Sequence, residues 1–115
     1  MRPAIEGEGS LPAEGDVTSE VSAARRALIE QSADSLGRTW ADGCRQELLQ
    51  EGRRATGGWP GTLREARARV ECALHVEMHC RKLPAITAVE RELAVRTTYA
   101  SARSAWRKCV DATTR

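Results

Sequence analysis

The sequence predicts an all-α fold, a bundle of three or four helices preceded by a disordered N-terminal tail. Three observations carry that prediction: apolar residues recur at helical spacing from Val17 onward, Thr-x-x-Glu helix starts occur twice, and no stretch alternates apolar and polar residues as a strand does. The composition agrees. Leu, Ile and Val together number 19, Phe is absent and Ala supplies 18 residues, a set of small side chains suited to closely packed helices. The 18 basic residues nearly balance the 16 acidic ones, so the low content of large aliphatics does not coincide with the high net charge of a disordered chain. A length of 115 residues accommodates one domain with one core.

The opening MRPAIEGEGSLPAEGD, residues 1–16, mixes Pro, Gly and Glu with almost nothing apolar. It cannot offset the entropy of its own ordering and reads as a flexible acidic tail, with a single helical domain over 17–115. Val21, Ala24 and Leu28 then open an amphipathic stripe that continues through Ile29, Ala33, Leu36, Trp40, Cys44 and Leu48. Gly37 and Gly43 each lower helix propensity by about 1 kcal/mol, so a kink or break is expected near Gly37. The segment stops in GRRATGGWPGT, where Arg53 and Arg54 suit a helix C-terminal dipole and Gly57 or Gly58 can take the left-handed cap.

Thr62 and Glu65 form the next signal, a capping box in which hydroxyl and carboxylate satisfy each other's free backbone donors. A helix should run from Leu63 to about Leu83, where Pro84 ends it. Thr87 and Glu90 repeat the box, and a last helix should run from about Ala88 to Val110. Val95, Tyr99, Ala102, Trp106 and Cys109 make a core stripe on it, and Val89, Leu93 and Ala100 a thinner second one. The three tryptophans, Trp40, Trp59 and Trp106, are read as core, with Trp59 folded from its loop over the end of the bundle.

Function is ranked rather than read. No Gly-rich phosphate loop, serine elbow or zinc-protease motif is present, so the chain is not expected to be an enzyme or to carry a cofactor. With no apolar run of about 18 residues to span a membrane and no signal pattern, a soluble cytoplasmic protein is expected, with its four cysteines reduced. The leading reading is a small non-catalytic interaction or regulatory protein that contacts a protein partner or a second copy of itself, with Leu93 on the contact surface. The runner-up is a nucleic-acid-associated module that uses a basic strip, Arg96, Arg103 and Arg107, since guanidinium forks match phosphates well.

The third reading rests on ECALHVEMHC, residues 71–80, which holds both histidines and two of the four cysteines. His75 and His79 stand one turn apart and can share a metal, with Cys72 or Glu71 as a third ligand and a fourth group required from Cys44 or Cys109. The spacing matches no established zinc pattern, and two histidines facing water on a helix are commonplace. On this helix Val70, Leu74 and Cys80 are expected to pack, with Cys72 and Val76 on a flank that a neighbouring helix covers.

Overall fold

Residues Pro12–Gln50 form one continuous helix, α1, in the computed structural model, which describes the backbone of residues 12–114 and the side chains of residues 23–112. α1 starts at Pro12 rather than near Val17. Proline suits a first helical position, because the N–H it lacks has no acceptor within the helix there. Residues 1–11 of the expected tail lie outside the described residues. Leu63–Cys80 form α2 and Ala88–Thr114 form α3, and among the described residues there is no strand.

α1 runs through Gly37 and Gly43 as one helix, so the break expected near Gly37 does not form. The reason lies on α3. A Cβ at Gly37 would stand 2.4 Å from the carbonyl oxygen of Thr98, 2.8 Å from Ser101 Cβ and 2.9 Å from the Ala102 nitrogen. The missing side chain therefore lets two backbones touch, and the packing gained offsets the glycine's poor propensity. Ala33 and Ala41, four residues to either side of Gly37, and Ala94 and Ala102 opposite, are all fully buried. Two hydroxyls bridge the seam: Thr98 Oγ1 donates to the Ala33 carbonyl at 3.1 Å, and Ser101 Oγ lies 2.9 and 2.8 Å from the carbonyl and carboxylate oxygens of Asp34.

Those pairs show that α1 and α3 run in the same direction, with Arg25 beside Glu90 near the start of α3 and Asp34 beside Ser101 further along. α2 returns against them and closes the core with Ala66, Val70, Leu74 and Met78, packed with Ile29, Trp40, Val95 and Ala102. Val70 and Leu74 pack as expected, but Met78 takes the place given to Cys80, which is exposed. Cys72 is exposed too and Val76 is 53% exposed, so the flank expected to be covered is open. Both other helices lie on the Val70–Met78 side.

The helix ends follow local chemistry. Gly52, at φ 73°, closes α1: Arg53 N–H donates to the Leu48 carbonyl at 2.8 Å and Gly52 N–H to Leu49 at 3.0 Å. The cap is thus earlier than the expected Gly57 or Gly58. α2 closes with the same pair of bonds, Leu83 to Met78 at 2.9 Å and Lys82 to His79 at 3.0 Å, but with Lys82 in the left-handed position at φ 58°. Both capping boxes form. Glu65 N–H donates to Thr62 Oγ1 at 3.1 Å while Thr62 N–H donates to Glu65 Oε1 at 2.8 Å, and the Thr87 and Glu90 bonds are 2.8 and 3.2 Å.

The tryptophans close one end of the bundle as predicted. Trp59 stands edge-on to Trp40 at 4.8 Å and to Trp106 at 5.6 Å between ring centroids, and Trp106 Nε1 donates to the Gly57 carbonyl at 3.2 Å. Gly61 completes the fit, since a Cβ there would meet the Trp59 ring at 2.6 Å and Trp40 at 2.7 Å. The Arg69 guanidinium lies 4.8 Å over the Trp40 ring.

Two substitutions in the same helix should have opposite effects. Gly37→Ala forces the α1 and α3 backbones apart and should cost about 1–3 kcal/mol, whereas Gly43→Ala adds a Cβ with nothing within 4 Å and should stabilise by up to about 1 kcal/mol. Urea unfolding of both variants checks this; equal effects would contradict the role given to Gly37. Lys82→Gly should relieve the left-handed strain and raise stability by about 1 kcal/mol in the same measurement.

Candidate functional site

The residues singled out in the sequence fall on separate surfaces. Cys72, His75 and His79 are exposed on the outer side of α2, while Cys44 and Cys109 are half-buried on α1 and α3. Burial first, then the nearby charge of Glu47, pushes the Cys44 thiol above its ordinary value and disfavours the thiolate a metal or a nucleophile requires. Among the described residues, no group of three or more His, Cys, Asp or Glu side chains is placed to hold a metal ion. Cys72 precedes His79 by seven residues, about 10 Å of helix rise, so it cannot complete a site that the two histidines share.

On α3, Arg96, Arg103 and Arg107 are exposed and Leu93 is half-buried. Glu92 pairs with Arg67 of α2 through both its oxygens, and that bond holds the Glu92 carboxyl below its usual range and the Arg67 guanidinium above its own. Arg91 faces Glu71 of α2 at 3.6 Å. Arg103 and Arg107 flank a hollow of about 130 Å³ that Trp59, Trp106, Gly57 and Gly58 also line, so part of the basic strip meets the tryptophan end.

A larger hollow, about 460 Å³, lies at the opposite end, between α1 and the loop joining α2 to α3. Its wall is almost wholly apolar: Ala24 and Leu28 from α1, then Leu83, Pro84 and Ala85 from the loop, with Arg25 and Thr87 at the edges. Arg25 holds this wall in shape. Its Nε donates to Glu90 Oε2 at 2.7 Å and its Nη2 to Glu90 Oε1 at 3.0 Å, while Nη2 also reaches the carbonyls of Pro84 at 2.9 Å and Ala85 at 3.0 Å. One side chain thus fixes the first turn of α3 and satisfies two loop carbonyls that no helix serves. The Arg25 bonds, helped by those from Thr87 and opposed by burial, draw the Glu90 carboxyl down to about 2 from 4.5.

Sequence reasoning placed Thr87 and Glu90 in a capping box but missed this site. The available signal was the run Leu83-Pro84-Ala85-Ile86, more apolar than a solvated loop requires. Val89, 81% exposed on the first turn of α3, adds apolar surface at this end of the bundle. No helix among the described residues is long and apolar enough to cross a membrane. No protein-family model, curated protein or solved structure matches the chain.

The Glu90 shift sets an acid dependence with a definite sign. Its folded pKa lies below the unfolded value, so the stabilisation is fully present above pH 4.5 and is lost as pH falls toward about 2. Wild type should be more stable than Glu90→Gln at pH 6, and the gap should close between pH 4.5 and 2 in thermal melts across that range. A gap that stays constant with pH would show that the Arg25 pair contributes nothing through the charge of Glu90.

Proposed function

We propose that this protein is a small, non-catalytic helical interaction protein of the cytoplasm, acting through protein–protein contacts made at the apolar hollow beside the α2–α3 loop. The hollow itself carries the reading. A small-molecule site sets a few converging polar groups in an apolar cavity, whereas here the one strong donor, Arg25, gives its Nε and Nη2 to Glu90 and the loop and keeps its Nη1 buried without a partner. What remains is an apolar depression with a fixed rim, the kind of surface that accepts the anchoring side chains of a partner helix or loop. Leu83, 39% exposed, is the side chain best placed to meet them.

Affinity capture with the full chain tests this. Protein partners recovered with wild type should be lost with Leu83→Glu and retained with Leu63→Glu, a matched change at another exposed apolar residue. Recovery of the same proteins with both variants would remove the hollow from the account.

A second reading is favoured by one observation, the meeting of Arg103 and Arg107 with Trp59 and Trp106 around the smaller hollow. Basic groups beside aromatic rings suit single-stranded nucleic acid, the rings stacking on bases and the guanidiniums meeting phosphates. In a shift assay with a mixed DNA and RNA pool, this reading predicts binding that falls steeply with salt and weakens when Arg96, Arg103 and Arg107 are replaced by Ala. The protein-contact reading predicts no appreciable binding at physiological salt.

A further inference from the structure

The outer face of α2 carries the chain's only two histidines, and nothing in the bundle covers them. At about 100° per residue, Cys72, His75, Val76 and His79 fall within an arc of about 100°, and all four are exposed. On a single chain this is half of a metal site. His75 and His79, one turn apart with Cβ atoms about 5–6 Å from each other, can offer two imidazoles to one ion, and no third ligand joins them among the described residues. A closed tetrahedral zinc site needs four.

A two-fold contact supplies the missing pair, because an isologous interface brings the same residues of a second copy to the same place. One further feature of the face suits a second copy. Val76, 53% exposed, lies on the edge of the same arc beside the histidines and gives the contact an apolar flank.

We propose that a second copy of this chain covers the outer face of α2 and that the two copies hold one zinc-class divalent ion between His75 and His79 of each. The site stands apart from the hollow at the α2–α3 loop and does not rest on the reading given to it. Metal binding releases no bond within the fold; it joins two preformed faces, so the bundle folds without the ion.

Native mass spectrometry and sedimentation of the full chain, with EDTA and then with zinc chloride, test the proposal. The expected result is a monomer in EDTA and, with zinc, a dimer holding one ion per two chains. The double variant His75→Ala, His79→Ala should melt at the wild-type temperature in EDTA and stay monomeric with zinc, which separates loss of the site from loss of the fold. Val76→Glu, which keeps all the ligands, should shift dimer formation to at least tenfold higher protein concentration. One zinc per monomer, a dimer that persists in EDTA or in the histidine variant, or no change of mass with zinc would each overturn it.

Discussion

The absence of a side chain at Gly37 is the constraint on which the rest of this structure depends. It brings the backbones of α1 and α3 into contact, where even a methyl group would fall 2.4 Å from the Thr98 carbonyl. Around that point the chain uses alanines and two hydroxyls rather than large aliphatics. The α1–α3 seam therefore draws its cohesion from close approach and from the bonds of Thr98 and Ser101 to α1, while the larger buried side chains lie around it. This is how a chain without phenylalanine builds a core. Because α1 and α3 run in the same direction, α2 must return between their ends, and its Val70, Leu74 and Met78 fill the groove that the close pair leaves.

The two ends of the bundle are then closed by different means. At one end aromatic rings do the work: Trp59 reaches in from its loop to Trp40 and Trp106, and Gly61 lets the chain turn against the rings. At the other end charge does it. Arg25 ties α1 to the first turn of α3 and to the loop before it, so the loop's apolar residues are held apart as a wall instead of collapsing onto the helices. The surface proposed as the contact site is therefore a by-product of how the end is latched, and its shape depends on an ion pair 65 positions apart in sequence.

What could be read from the sequence was what local chemistry decides. Two Thr-x-x-Glu boxes started α2 and α3 where expected, and the spacing of Val70 and Leu74 gave the buried side while His75 and His79 faced water, although α2 closes at Cys80 on the left-handed Lys82 and not at the expected Leu83 before Pro84. What could not be read depended on a neighbour. Gly37 looks like a helix breaker until α3 lies across it. Gly52 caps α1 where Gly57 was as good a candidate, and both do adopt positive φ, but only the packing of α1 fixes which one follows its last turn. Helical periodicity gave the faces of α2 without saying how many have neighbours, so Met78 was missed and Cys72, Val76 and Cys80 were expected to be covered. The Arg25 latch leaves no pattern at all in the sequence.

Native-state hydrogen exchange measures most directly whether the α1–α3 seam holds the fold together. If it does, the slowest amides should lie on both sides of the contact, in residues 33–41 of α1 and 94–102 of α3, and should exchange only through global unfolding, while those of α2 exchange earlier through partial opening. Slowest exchange in α2, or seam amides that open well before global unfolding, would contradict it.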